Sequence, residues 1–438
     1  MIQNNPIQLS RLRAWTQGGL AKDALRTTFW YLLRMLAQMG YLALIGRLLG
    51  ASGLGLFAGV MAIGGFVAPM ASASLGVVMI RKTSQSDEDL WTFRARALAF
   101  TLPAGLVACA LCFVAVQLWF PADLPSWFVL QLLVSEVLVA ALFSLCTATD
   151  QALGVPQRAQ AWTSLLWLLR LVLLAALALV YGRMPVEVAA AVHLLSGVIV
   201  LALALNSQGL RWPGAPLRSS LPDMRELREG VSYAASSIAT VAFTDLNQTL
   251  LLAILSARDA GIFAATYKLI VASTLLTSVL SFVSVKRLFE ASYRKTEQSL
   301  HQLRTFAAAG LALGAVSSAA SWLLSALLPV VLGQDFTESV HLTRLLAPIP
   351  LLIAGRTVAV ALMTSHGLQG RRVWIECVII PVSLGTNYVL ASNFGLGGIV
   401  YGILAVELAT TAVMSASVWR LLWPLAPGAP KKSADVRS

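Results

Sequence analysis

Charge is scarce in this chain, and acid is scarcer than base. Only 12% of its 438 residues are charged, 20 acidic against 32 basic, and there are four histidines and four cysteines. Set beside 58% hydrophobic residues and a mean hydropathy of +0.76, so little charge excludes a soluble globular protein. A charge exposed to hydrocarbon costs several kcal/mol, so chains embedded in a membrane keep few. The histidines show no metal-ligand spacing, and there is no Ser/His/Asp set, no phosphate-binding glycine loop and no ATP-binding domain. No enzyme activity, cofactor or metal is expected. Cys109, Cys112, Cys146 and Cys377 all lie in apolar runs rather than in outer loops, where a disulfide could form. The first 26 residues are polar and basic, and the first apolar run is too long for a signal peptide and lacks a small-residue cleavage site. Residues 1–26 are therefore expected to form a retained interfacial segment.

What the chain has in abundance is long apolar runs. A helix needs roughly 20 residues at 1.5 Å each to cross a bilayer. Twelve such runs occur, near 27–48, 54–80, 97–119, 126–149, 161–181, 185–206, 231–255, 261–285, 305–332, 343–366, 375–391 and 397–419. They lack the short alternating segments of a barrel, so each is expected to be a helix. The N-terminal segment, the tail and every second loop hold 24 of the 32 Lys and Arg residues. The intervening turns hold three (Arg47, Arg183, Arg258), and five lie within the runs. That alternation puts both termini in the cytoplasm. It also accounts for the net charge of +12 through basic loops facing anionic lipid, with no nucleic acid involved.

The longest interior polar stretch, 207–230, lies midway and reads as a cytoplasmic linker between six-helix lobes at 27–206 and 231–419, with a cytoplasmic tail at 420–438. A second basic segment, 286–304, reads as an amphipathic helix on the membrane surface. The halves echo each other. Gly53-Leu-Gly55-Leu-Phe57-Ala58 opens the second run, and Asp259-Ala-Gly261-Ile-Phe263-Ala264 opens the eighth. Six helices separate the copies, so they share an orientation, as in a two-lobed transporter with parallel repeats. Gly55 and Gly261 would let the chain turn tightly and the helices approach closely.

The stretch from Gly46 and Arg47 through Gly50, Gly53 and Gly55 to Phe57 and Ala58 resembles the first hairpin of bacterial polysaccharide flippases, the oligosaccharidyl-lipid exporters. The stretch from Asp245 to Leu252, followed by Gly261-Ile-Phe263-Ala-Ala-Thr-Tyr267-Lys268, is similar to their second-half hairpin. Asn393-Phe-Gly395-Leu-Gly397-Gly398 resembles the glycine-rich turn before their last core helix. The resemblance spans about 27–420. It implies an all-α integral membrane protein whose two six-helix lobes form a V around a central cavity. It implies movement of undecaprenyl-pyrophosphate-linked oligosaccharide units, of the O-antigen or exopolysaccharide kind, from the inner to the outer leaflet of the bacterial cytoplasmic membrane. The implied partners are the lipid-linked oligosaccharide, membrane lipids and other polysaccharide-assembly proteins such as a polymerase. The chain is expected to act as a monomer.

Ionisable residues inside the runs are candidates for function. Arg34, Arg170, Lys268 and Arg356 could line a wet route for the anionic head. Arg34 and Lys268 lie close enough to a membrane face to snorkel instead. Glu136, Asp245 and Glu407, each placed mid-helix, either couple transport to an ion or neutralise the arginines. His193 reads as a packing residue. Two alternatives stand. A cation-coupled multidrug exporter of the same superfamily should keep an acid in the first helix, where this chain has Arg34. A membrane polymerase or glycosyltransferase should carry a sizeable outer loop, and the outer loops here run to about ten residues or fewer.

Overall fold

The computed structural model describes residues 19–85, 89–120, 124–180, 183–209, 221–275, 277–278, 280–281, 284, 288 and 297–422. Among them every regular element is a helix, since a peptide group left unpaired in hydrocarbon is costly and a helix pairs its own. The described residues of the expected runs are largely helical, with breaks at residues 72–74, 245 and 347–348. Seven helices are long and apolar enough to cross a membrane, and one pair bent by 49° makes an eighth. This is a multi-pass membrane protein. Its outer surface agrees: Leu106, Val107, Leu111, Val114 and Leu118 of one helix all face outward.

Two of the spans missing from the expected twelve are merged into neighbours; the seventh run is broken at Asp245, and the eighth lies partly outside the described residues. The first two runs form one helix, α1 (Gly19–Ala71), bent at Gly50, whose φ of 69° favours a residue without Cβ. The last two form another that bends at Gly395, with φ 60°. Both joints cost one glycine each and no loop. Elsewhere spans that the hydropathy shows as continuous are interrupted. The second run, expected to reach residue 80, breaks after Ala71 and resumes as α2 (Leu75–Gln85). Pro69 removes one helical hydrogen bond, and Ala73 and Ser74 take φ of 42° and 43°. The break is held by Ser74 N–H to the Pro69 carbonyl (3.0 Å) and Ala73 N–H to Met70 (2.9 Å).

The chain divides into two compact units. The first comprises Met1–Ala264 with Val331–Asp335. After α1 and α2 it contains α3 (Leu90–Trp119), α4 (Ser126–Leu133), a π-helical turn (Val134–Val139) and α5 (Ala140–Ala152). Then come α6 (Pro156–Ala178), α7 (Val186–Ser207), α8 (Met224–Thr244) and α9 (Leu246–Ile254). The first residues of α10 (Ala257–Ser273) also belong here. α6 runs beside α1, where Ser164 Oγ donates to the Trp30 carbonyl at 2.6 Å. α2 packs on α5 through Leu75, Val78, Met79, Leu145 and Ala148. The start of α8 seats Gly230 against the Ala73 carbonyl, and a Cβ there would collide. Charges tie the same corner: Lys82 Nζ lies 2.5 Å and Arg96 Nη1 3.4 Å from Glu226, and Arg81 lies 2.5 Å from Glu229.

The second unit comprises Ala265–Val330 with Phe336–Ser438. It holds the rest of α10, α11 (Glu297–Leu324), α13 (Thr337–Leu346), α14 (Ile349–Ser365) and α15 (Gln369–Leu422). The short α12 (Leu328–Leu332) sits at the boundary. α14 is sandwiched by α11 and α15, around Leu303, Phe306, Val358, Leu362, Met363, Met414 and Val418. The expected interfacial segment up to residue 18, most of the linker (210–220), most of the 286–296 surface segment and the tail from 423 lie outside the described residues.

Candidate functional site

In the first unit three helices and the π-helical turn bring together four polar side chains that lie far apart in sequence. Arg170 of α6 is buried, 4% exposed, with Nη2 3.3 Å from Glu136 Oε1 and 3.4 Å from Ser135 Oγ. His193 of α7 places Nε2 2.6 Å from the same carboxylate oxygen and Nδ1 2.9 Å from the Tyr41 hydroxyl of α1. An ionised carboxylate only accepts. With neutral imidazole the donor order is therefore set: His193 Nε2–H donates to Glu136, and Tyr41 O–H donates to Nδ1. The chain is enclosed by rings. Tyr41 meets Trp167 edge-on at 5.7 Å between centroids, Phe57 stands 5.3 Å from the His193 ring, and Phe128 packs behind Phe57. The Arg170 guanidinium lies 4.8 Å from the Trp167 ring centroid.

Glu136 stands in the π-helical turn, whose extra residue per turn re-aims side chains and often marks working positions. Gly64 of α1 gives it room: a Cβ at Gly64 would run into the Glu136 side chain. The π turn and Gly64 thus serve the same carboxylate. The arrangement holds one positive and one negative charge at depth with little net field, and it ties α1, α6 and α7 to the π turn.

The second unit carries a related pair. Arg356 Nε of α14 lies 2.6 Å from Glu407 Oε1 of α15, with 22% and 6% of their side chains exposed. Arg356 and Glu407 lie on the tenth and twelfth expected spans. The sequence leaves open whether these acids serve transport or pair with arginines; here both acids lie against arginines. Arg34 differs. Among the described residues no carboxylate lies within ion-pair distance of it, its Nε is buried without a hydrogen-bond partner, and its guanidinium sits 4.6 Å from the Tyr31 ring centroid. Lys268 lies half-buried on α10.

Asp245 departs from expectation. It is not in mid-helix: α8 ends at Thr244, and Asp245 precedes the first residue of α9 with φ −118°. Gln248 donates to its carboxylate at 3.4 Å and to its carbonyl through the backbone at 3.0 Å. An apolar run shows length but not a local break of this kind. Gly55 and Gly261 meet one half of their expectation, the close approach of helices, and not the other, the turn. The turn of the first hairpin falls at Gly50, and that of the second at Leu255 and Ser256. Gly55 and Gly261 instead allow a close crossing: a Cβ on Gly55 would strike the Ala257 carbonyl, and one on Gly261 the Ala51 carbonyl.

Several features carry no sequence signal. The π turn has none, because its apolar period matches an ordinary helix. Tyr41 reads as one more aromatic in a span. Arg94, counted with the cytoplasmic loop cations, is 2% exposed, and its Nη1 donates to the Gly209 carbonyl at 3.2 Å. No group of three metal-ligating side chains occurs among the described residues.

The sequence pattern of the polysaccharide biosynthesis protein family matches residues 20–292. No curated protein matches the chain in sequence. Solved structures match in fold. An inward-facing multidrug resistance MATE family transporter of the MOP superfamily shares 14% identity at a TM-score of 0.70, covering 89% of this chain and 94% of that one. An outward-facing MATE transporter shares 16% at 0.62, covering 93% and 96%. A MOP superfamily transporter from Pyrococcus furiosus, described by the reverse polarity of its binding pocket and a suggested different function, shares 14% at 0.56, covering 91% and 94%. At such identity the likeness speaks for the twelve-helix transporter fold alone.

Proposed function

The chain belongs to the polysaccharide biosynthesis protein family, and from that premise we propose that it flips undecaprenyl-pyrophosphate-linked oligosaccharide units from the inner to the outer leaflet by alternating access. Family and fold support a membrane transporter rather than an enzyme. The observation that carries the substrate reading is Arg34. The first span holds a cation with an unpartnered guanidinium nitrogen, and no acid follows Asp23 before the second span. A cationic-drug exporter needs the opposite sign there. The Pyrococcus furiosus structure, described by reversed pocket polarity, supports the idea that one fold serves pockets of either sign.

The pyrophosphate head would meet Arg34 first. Arg170, in the same unit, would reach it once the Glu136 carboxylate beside it is shared or displaced. The polyprenyl tail would remain in lipid. An inside-negative potential drives an anionic head outward by about 2.3 kcal/mol per charge per 100 mV, which requires no ATP site. The reading places the protein in the bacterial inner membrane with both termini cytoplasmic, working as a monomer beside polymerase and assembly proteins.

The test is flipping of a fluorescent undecaprenyl-pyrophosphate saccharide in reconstituted vesicles. A hydrogen bond to a charged group contributes about 1.5–3 kcal/mol, so Arg34→Ala should slow flipping about tenfold or more. Arg34→Lys should restore part of it, because a diffuse anion needs charge more than fork geometry. Unchanged flipping by Arg34→Ala at normal insertion, or a gain in efflux of cationic dyes, would overturn the reading.

A further inference from the structure

The first unit contains a cavity of about 340 Å³ that none of the charged residues above lines. Its wall is made by the end of α1, the break after it, α2, α5 and α8. Among the described residues its polar lining is Ser72, Ser74, Ser144, Thr147, Gln151 and Ser237, without a charged side chain. The remainder is mostly glycine and alanine, which leaves the space open. We infer that this cavity is a saccharide subsite, taking a neutral, hydroxyl-rich sugar ring of the cargo while the charged head lies elsewhere. The inference rests on the flippase reading and names the part of the substrate that Arg34 does not address.

The hydroxyls are set up to accept. Ser144 Oγ donates to the Ala141 carbonyl (2.7 Å), Thr147 Oγ1 to Ser144 (2.9 Å) and Ser237 Oγ to Tyr233 (3.2 Å). Ser72 Oγ donates to Pro69 at 3.3 Å. Each has spent its proton within its own helix, so its lone pairs are what remain for a ligand, and a ligand rich in O–H donors is the complement. Pro69 adds to this. It offers no N–H to the carbonyl of Gly65, and both residues line the cavity. Gln151 supplies a side-chain amide with both donor and acceptor.

Other occupants fit less well. A phosphate needs cations, and Arg81 and Lys82 on α2, which also lines the cavity, lie 2.5 Å from Glu229 and Glu226. A polyprenyl chain has no use for six polar groups, and burying them against it would leave them without partners. The volume lies in the lower part of the range of about 300–1,000 Å³ for small-molecule sites. Ser144, Gln151 and Ser237 are exposed, so the mouth is open. By the charge topology, α2 and the end of α5 face the cytoplasm, the side from which a newly made saccharide arrives.

The test uses Ser144→Cys in a Cys377→Ser background, since Cys109, Cys112 and Cys146 are buried. Maleimide labelling is timed in lipid nanodiscs with three kinds of probe. They are undecaprenyl pyrophosphate carrying one glucose, galactose or N-acetylglucosamine, the bare carrier, and the free sugars at saturation. Native mass spectrometry reads binding independently. At least one sugar-bearing lipid should slow labelling about tenfold, and the bare carrier should not. Ser144→Leu fills part of the space and removes an acceptor. It should weaken that lipid about tenfold, a change of about 1.4 kcal/mol, and leave the bare carrier unaffected, whereas Arg34→Ala should weaken both. Equal protection by carrier and sugar-bearing lipids, or none from lipids that bind, overturns the subsite and leaves the flippase reading standing. If no carrier lipid binds, the flippase reading fails, and protection by a free sugar decides the subsite by itself.

Discussion

Replacing Glu136 by Gln keeps the size of the side chain and an acceptor for His193 while removing the charge that faces Arg170. The Arg170 and His193 side chains are 5% and 0% exposed, so water cannot take over. At 3.3 Å and an effective dielectric of about 20, two unit charges attract by about 5 kcal/mol. Removing one partner of a buried pair costs about 3–5 kcal/mol, and the two figures agree. Glu136→Gln and Arg170→Met should therefore each lower stability by about 3–5 kcal/mol. The double variant, with no orphaned charge, should lose little more than the worse single one. Chemical unfolding in mixed micelles, followed by tryptophan fluorescence, measures this. If the two single losses add in the double variant to within about 0.5 kcal/mol, the groups are not coupled and the network account is wrong.

Gly55→Ala and Gly261→Ala each drive a methyl into a facing carbonyl, so each should cost about 1–3 kcal/mol and lower the Tm; an unchanged Tm for both would show that the helices do not cross so closely. Burial pushes the Glu226 carboxyl up, but Lys82, the Asp223 N–H and Arg96 pull it further down, to below its usual 4.5. A depressed carboxyl stabilises above that pH and loses its contribution as pH falls through its own value. The Tm gap between the native protein and Glu226→Gln should thus be present at neutral pH and close in acid; a gap that widened in acid would reverse the assignment. Single cysteines at Ser126 and Asn393 should react with an impermeant thiol reagent from outside sealed cells, while one at Ser219 should react only after the membrane is opened. Outside labelling of Ser219 would invert the topology.

Run length, loop charge and helical state are legible in the sequence because each is a local property. An apolar stretch of about 20 residues must be helix in hydrocarbon wherever it lies. The glycine echo at Gly55 and Gly261, the ionisable residues within spans and the family resemblance are likewise linear patterns. Their roles are not. Gly55 looks like a turn residue from its neighbours, yet Gly50 makes the turn, because φ is decided by where the two helices must go. Asp245 looks embedded because hydropathy averages over a window wider than a helix break.

Only the tertiary structure decides partners. Glu136 meets Arg170 across 34 positions and His193 across 57, and Arg356 meets Glu407 across 51. Nothing in a one-dimensional charge pattern states which buried arginine faces an acid and which, like Arg34, keeps a nitrogen free. That depends on helix rotation, which packing of Tyr41, Phe57 and Trp167 sets and which the low dielectric then makes consequential. The sequence determines that this chain crosses a membrane many times with sparse, placed charges. The packing of its helices determines which charges cancel, because cancellation acts over a few ångströms and those distances exist only once the helices are side by side.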